Sequence, residues 1–314
     1  YQVSQALFNK ASLLDQMKRH QEELGVYDEI IRLFAADEDA FLREQVGSAR
    51  LNRGLTFRQL GQPDEVMRVF DDVIAGYADG EEPWQRGLLL NALFSKALVL
   101  GERGHQVQSL AVYDELIRRF GGAQEPLFNI LVSKALYNRA LILETLDRKP
   151  DAFADYEGVM SRQAQAANVE GRELFTSAFF KKGVILAGTG AHNEAIRIFD
   201  EIIRLHARPE NAYLHEVMNR ARLSKGELLS QRGNPEDALN ILNAVIREHE
   251  ASDELIARDF TSQALLIKAQ ALEKSGEKAE AIAIYDELVR RYGGATESLL
   301  RERVGDALFY KGGI

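Results

Sequence analysis

Apolar and small residues recur along this chain at a fixed interval of 43 residues, with no insertion or deletion. Tyr27, Phe70, Tyr113, Tyr156, Phe199, Leu242 and Tyr285 mark one column. A second column is alanine throughout: Ala6, Ala49, Ala92, Ala135, Ala178, Ala221, Ala264 and Ala307. Five residues later stand Ala11, Gly54, Ala97, Ala140, Gly183, Gly226, Ala269 and Gly312, and then an apolar column of Leu14, Phe57, Leu100, Leu143, Leu186, Leu229 and Leu272. These spacings place the small and apolar residues along one helical face. Small side chains at fixed places let two helices approach closely. A constant period of this length is the signature of stacked repeats, each burying its apolar face against its neighbours.

Punctuation follows the same interval. Gly61, Gly104, Gly190, Gly233 and Gly276 end the first helix of a copy, with Lys18 and Asp147 at the matching places in the first and fourth copies. Glycine adopts the left-handed conformation that closes a helix without penalty. Pro63, Pro150 and Pro235 sit just beyond, where proline suits a new helix's first turn. Each copy is therefore predicted to be two antiparallel helices, a long one such as 126–146 and a shorter one such as 106–120. Gly121-Gly122 and Gly293-Gly294 break the chain before the next long helix. No segment alternates with period two, so no strands are predicted. Asp28–Arg32, Asp114–Arg118, Asp200–Arg204 and Asp286–Arg290 are spaced as i,i+4 ion pairs supporting the shorter helices. Between the two small columns runs a basic one: Lys10, Arg53, Lys96, Arg139, Lys182, Lys225, Lys268 and Lys311.

The segments Asn52-Arg53-Gly54, Leu60-Gly61-Gln62-Pro63-Asp64-Glu65-Val66 and Phe70-Asp71-Asp72-Val73-Ile74 together resemble the tetratricopeptide repeat. So do Asn138-Arg139-Ala140 and Gly276-Glu277-Lys278-Ala279-Glu280-Ala281 followed by Tyr285. The resemblance runs the whole length. It implies an all-α fold, an α-solenoid of antiparallel helix pairs forming a right-handed superhelix. Residues 1–314 are expected to make a single solenoid of seven repeats and a truncated eighth. The helix pairs fall at about 2–34, 38–77, 82–120, 125–163, 168–206, 211–249 and 254–292, with a last half-repeat at 297–312. Two features depart from the family. The period is 43 rather than the usual 34, and the aromatic expected at the head of the first helix is replaced by Leu7, Arg50, Leu93, Leu136, Phe179, Arg222, Leu265 and Leu308.

The resemblance further implies a non-enzymatic protein–protein interaction scaffold whose first helices line a concave groove for a partner peptide or helix. Its groove columns are carried here by Gln5, Ser48, Asn91, Lys134, Ser177, Arg220, Gln263 and Asp306; by Asn9, Asn52, Ser95, Asn138, Lys181, Ser224, Ile267 and Tyr310; and by Ser12, Leu55, Leu98, Leu141, Val184, Glu227 and Gln270. From these columns Asn52, Leu98, Lys134, Asn138, Leu141, Lys181 and Arg220 are the candidate groove residues. Leu55, Leu98, Leu141 and Val184 form an apolar stripe. Lys134, Lys181 and Arg220, with Arg222, form a basic cluster. Together they point to an acidic, partly apolar peptide. The competing reading is that the stripe packs between neighbouring long helices and the cluster is a solvated face. No three consecutive repeats supply the lysine, asparagine and arginine set that grips a chaperone's C-terminal tail.

Composition removes other classes. A net charge of −9 lacks the footprint of a nucleic-acid binder. The absence of cysteine excludes disulfides and thiolate metal sites, and no apolar run is long enough to span a membrane. Phosphate-loop, nucleophile-elbow and zinc-protease motifs are missing; Val217, Met218 and Asn219 after His215-Glu216 break the last. No catalytic, cofactor or metal residues are expected. His206 and His249 replace the aromatics Phe34, Tyr77, Phe120 and Tyr292 of their column, and Trp84, with Phe41, Leu127, Tyr213, Ile256 and Leu299, is read as core at the long-helix starts. The chain opens on Tyr1 without a methionine or signal peptide and is read as part of a longer cytoplasmic protein. Its last segment, Ala307–Ile314, lacks a polar cap, which predicts end-to-end self-association. The alternatives are a regulatory or sensor domain of a larger protein and a self-assembling structural array.

Overall fold

The computed structural model describes residues 1–314. Two compact units make up the chain, Tyr1–Gln165 and Ala166–Ile314. Both are entirely helical. The first holds α1 (Gln2–Gln16), α2 (His20–Phe34), α3 (Ala40–Gln59), α4 (Pro63–Tyr77), α5 (Pro83–Glu102), α6 (Gln106–Phe120), α7 (Pro126–Thr145) and α8 (Lys149–Gln163). The second holds α9 (Val169–Gly188), α10 (His192–Leu205), α11 (Ala212–Gln231), α12 (Pro235–His249), α13 (Leu255–Lys274), α14 (Lys278–Tyr292) and α15 (Ser298–Gly312). Within each unit every helix packs on the one that precedes and the one that follows it. Long helices of successive pairs also touch: α3 with α5 and α5 with α7 in the first unit, α9 with α11, α11 with α13 and α13 with α15 in the second.

The turns inside each pair obey the punctuation column. Gly61, Gly104, Gly190, Gly233 and Gly276 have φ between 67° and 89°, and Lys18 and Asp147 adopt 56° at the matching places. At the first of these glycines the Gln62 amide donates to the Phe57 carbonyl at 3.0 Å, and Leu60 donates to Thr56 at 3.0 Å. These bonds satisfy carbonyls that a helix end leaves orphaned.

The core of each pair is a small residue facing a large one. Ala49, Ala92, Ala135, Ala178, Ala221, Ala264 and Ala307 have no exposed surface; Ala6, on the terminal α1, is exposed. The next small column faces the aromatic column. A Cβ on Gly54 would meet Phe70 Cε1 at 2.6 Å, and one on Gly183 would meet Phe199 Cε1 at 2.8 Å. Alanine stands in that column wherever its partner is Tyr27, Tyr113, Tyr156 or Tyr285, and glycine wherever it is Phe70, Phe199 or Leu242. These partners are all buried.

Two expectations are corrected. The column of Trp84 is not core. Phe41, Leu127, Tyr213, Ile256 and Leu299 are exposed and Trp84 is half-buried. One residue further along the helix, Leu42, Phe128, Leu214, Ala257 and Leu300 are buried. One residue turns a helix by about 100°, so the inward face begins one position later. The aspartates of the shorter helices also find other partners than those spaced four residues on. Arg53 reaches Asp28 at 2.9 Å, Lys96 reaches Asp71 at 2.5 Å and Arg139 reaches Asp114 at 2.5 Å. Lys225–Asp200 and Lys311–Asp286 repeat the contact. Each basic residue is 25 positions after its aspartate, so the pair staples one repeat to the next. Packing brings the long helix alongside, and a fixed neighbour wins over a flexible one on the same helix.

Candidate functional site

In the first unit, α5, α6 and α7 line an open surface cavity of about 240 Å³. Ala97, Leu98 and Gly101 form one wall, and Asn138, Leu141, Ile142 and Thr145 form the other. Ser109 and the buried Tyr113 close its base, with Glu102 and Gln106 also lining it. The polar groups at the base are already satisfied by the fold. Ser109 Oγ donates to the Ala97 carbonyl at 2.7 Å, and Gln106 Nε2 donates to Thr145 Oγ1 at 3.1 Å. Burial pushes the Tyr113 phenol above its ordinary pKa, and Asn138, hydrogen-bonded to the hydroxyl, acts in the opposite direction.

A second cavity of about 300 Å³ has the same construction 86 residues earlier, with Ser12, Tyr27, Asn52 and Leu55 at the places of Leu98, Tyr113, Asn138 and Leu141. It is more acidic. Glu23 takes the place of Ser109 and is 4% exposed. It accepts from Tyr27 Oη at 3.1 Å and Thr56 Oγ1 at 3.0 Å, while His20 Nδ1 lies 3.2 Å away. Burial raises the Tyr27 pKa, and the Glu23 charge raises it further. Between the two cavities the corresponding place is occupied by the ion pair of Arg58 with Glu102, in which Arg58 Nε lies 3.2 Å from Glu102 Oε2. Arg58 and Gly101 share a column with Asp15. Asp15 lines the second cavity and accepts from Gln59 Nε2 at 3.3 Å, whereas Gly101 brings no side chain to the first.

Of the sequence candidates, Leu98, Asn138 and Leu141 come together in one cavity and Asn52 lines the other. Lys134 lies on α7 one turn before Asn138, half-buried and outside that lining. Lys181 and Arg220 belong to the second unit. Lys181 is half-buried on α9. Arg220 pairs with Glu216, and it shares a cavity of about 260 Å³ with Glu227, Asp259, Phe260, Gln263 and Ile267. Acidic groups thus surround this arginine. Leu55, Leu98 and Leu141 are half-buried, and Val184 is exposed. The sequence reading missed Gly101, Ser109 and Tyr113. Gly101 could be found from its column, where every other first-unit copy has a charged side chain: Asp15, Arg58 and Glu144.

The histidines of the aromatic column contact the neighbouring long helices. His206 Nε2 lies 2.9 Å from Thr176 Oγ1, and His249 stacks on Phe260 with ring centres 5.3 Å apart. No helix is long and apolar enough to cross a membrane.

Helix pairs of this kind define a class of repeat protein. Residues 223–296 match the tetratricopeptide repeat family model, and the helical-repeat fold is that of solved tetratricopeptide repeat structures. Among solved structures, a tetratricopeptide repeat protein from Parabacteroides merdae is similar, with TM-score 0.55 and 16% identity, covering 98% of this chain and 100% of its own. The apo form of the quorum sensor NprR from B. thuringiensis gives TM-score 0.60 at 14% identity over 98% of this chain and 80% of its own. The apo form of RapI gives 0.68 at 8% identity over 99% and 87%. Among curated proteins no sequence match is found.

Proposed function

We propose that the chain is a protein-interaction scaffold that binds an extended peptide segment along the long-helix face of its first unit, without catalysis. One observation carries the reading: two cavities of the same design recur two repeats apart, each with an asparagine beside a buried tyrosine, and the place between them is closed by an ion pair. A ligand matched to this surface has two anchor side chains with a spacer between them. The cavity at Leu98 and Leu141 suits an apolar anchor. Its volume lies below the range of about 300–1,000 Å³ usual for small-molecule sites. Asn52 and Asn138 supply amides for a peptide backbone. An extended segment read by alternate pockets is an established way of gaining specificity. NprR, one of the proteins of similar fold, is a quorum sensor; that likeness supports the fold, and the functional reading rests on the groove.

Selection of peptides from a random display library, followed by fluorescence anisotropy, tests this. Gly101→Arg places in the open cavity the residue that Arg58 supplies in the closed one. Affinity for the selected peptide is expected to drop at least tenfold, which is about 1.4 kcal/mol. A peptide that binds this variant as tightly as the parent overturns the reading.

A further inference from the structure

The start of α11 and the end of α12 lie side by side because the two helices are antiparallel. His215 comes from the first turn of one, and Glu248 and His249 from the last turn of the other. One ligand atom from each falls within 4.8 Å of the others. His215 Nε2 is 2.5 Å from Glu248 Oε1. His249 Nε2 is 3.0 Å and His215 Nε2 3.3 Å from Asn219 Nδ2, so both imidazole nitrogens are directed to one small region. The supporting groups are fixed. Arg222 Nη1 donates to Glu248 Oε2 at 2.6 Å, which leaves Oε1 turned to the histidines. It also donates to Asn219 Oδ1 at 3.1 Å. His249 is 8% exposed and packed on Phe260, while the side chains of His215 and Glu248 are about one-third exposed, so the cluster is reached from solvent.

The repeat itself marks this cluster as a departure. His215 stands in a column of arginine: Arg43, Arg86, Arg172, Arg258 and Arg301, with Asn129 in the fourth copy. Three of those arginines reach the head of the next long helix, through Arg86–Glu125, Arg172–Glu210 and Arg258–Glu297. Glu248 stands where Arg119, Arg162 and Arg291 reach back to the preceding repeat, Arg119 to the Ala78 carbonyl and Arg162 to the Gly121 carbonyl. Arg222 stands where most copies have leucine. The Glu248 column is mixed, with Leu33, Gly76 and Leu205 beside those arginines. In this copy, then, a histidine replaces the usual arginine of one column, a carboxylate stands in the other, and both meet a second histidine.

We propose that His215, Glu248 and His249 bind one divalent transition ion of the zinc type. Two imidazoles and one carboxylate are the donors such ions take, and three protein ligands leave one position for water or an exogenous donor. The oxygen-rich shells of calcium and magnesium are not available here. In the ion-free protein His215 Nε2 faces Glu248 Oε1; to take the ion the imidazole presents Nε2 unprotonated, its proton carried on Nδ1, and the Asn219 amide turns aside. Asn219 and Arg222 then act as outer partners that orient the ligands.

Isothermal titration of the chelator-treated full chain with Zn2+, and of its cobalt form by visible absorption, tests the site. His215→Arg is the informative variant, because arginine is the column's usual residue and the fold tolerates it; Glu248→Gln is the second. Circular dichroism checks that both remain helical. The expected result is one equivalent of Zn2+ with a cobalt d–d spectrum, weakened about 100-fold or more in each variant, since even outer partners typically cost 10–100-fold. His20→Gln, in the separate Asp15–His20–Glu23 cluster, is expected to leave the titration unchanged. Absence of saturable binding, binding that survives both variants, or binding lost in His20→Gln overturns the proposal.

Discussion

The two units share their packing columns and differ in the face those columns display. In the first, the third groove column reads Ser12, Leu55, Leu98 and Leu141, and the surface opens into two cavities built around tyrosine and asparagine. In the second it reads Val184, Glu227 and Gln270, and the cavity there is walled by Arg220, Glu227 and Asp259. The buried alanine column is identical in both. Close approach of helices tolerates nothing larger at those positions, so the scaffold is held constant. The positions of the third column, from Ser12 to Gln270, are half-buried or exposed and free to vary.

The largest expected effect lies in the core of the first unit. Asp155 stands in a column that the second unit fills with Ile198, Ile241 and Ile284. It is 4% exposed and bound twice by Arg139, at 2.8 Å and 2.5 Å. That hydrogen-bonded carboxylate raises the Arg139 pKa, with Asp114 adding to it. Asp155→Ala leaves the half-buried Arg139 with Asp114 alone and is expected to cost about 2–4 kcal/mol in urea unfolding. A loss below about 1 kcal/mol would mean that Asp114 alone suffices for Arg139, and that the units' cores are equivalent after all.

The next contrast is between two glycines in one column. A Cβ on Gly54 lies 2.6 Å from the rigid Phe70 ring, whereas one on Gly226 lies 3.1 Å from the flexible Leu242 side chain. Gly54→Ala is expected to destabilise by about 1–3 kcal/mol through overpacking. Gly226→Ala is expected to cost less, because leucine yields and alanine favours the helix by up to about 1 kcal/mol. Equal thermal shifts for the two would show that ring rigidity is irrelevant.

A smaller effect of opposite sign is expected at the turns. Asp147 takes φ 56° where the second unit has Gly190, Gly233 and Gly276. Asp147→Gly relieves left-handed strain and is expected to stabilise by about 0.5–1 kcal/mol after the entropy of glycine is counted. A midpoint that moves to lower denaturant would contradict this.

The smallest effect concerns pH. The first unit places Gln163 in the column where the second has His206, and each bonds the neighbouring long helix: Gln163 to Ser133 at 2.8 Å, His206 to Thr176 at 2.9 Å. Burial lowers the His206 pKa below its ordinary 6.5, against a weaker raising by Glu210. The unfolded chain therefore takes up the proton first. The stabilising share of His206 is present above pH 6.5 and is lost as pH falls through the folded value. His206→Gln is expected to flatten stability between about pH 7 and 5. An unchanged slope in that variant would assign the pH response to other groups.

The legible part of this molecule was its periodicity. Gly61 and its equivalents marked the turns, and the alanine and tyrosine columns marked the buried faces, because both requirements are local: a left-handed backbone and a short distance between helices. Asn52, Leu98, Asn138 and Leu141 were assigned to a groove by the family resemblance, and the structure gathers the last three into one cavity. Gly101 was not singled out in the sequence and Tyr113 only as a member of the aromatic column, yet both line that cavity. Whether a groove position is open depends on side chains from three helices at once. Arg58 reaching Glu102 fills one such place, and no spacing rule contains that contact.

By itself the sequence determined helices, turns, pairing and, except at the long-helix starts, the inward face, since each follows from a residue's own backbone preference or from a period of 3.6. Only the tertiary structure decided which charges meet. Asp28, Asp114, Asp200 and Asp286 had arginines four residues away and bound a basic residue 25 positions on. His215, Glu248 and His249 were scattered in the sequence and converge at one point. An ionic or ligand contact is set by where rigid helices place the ends of long side chains, which depends on packing across the repeat boundary.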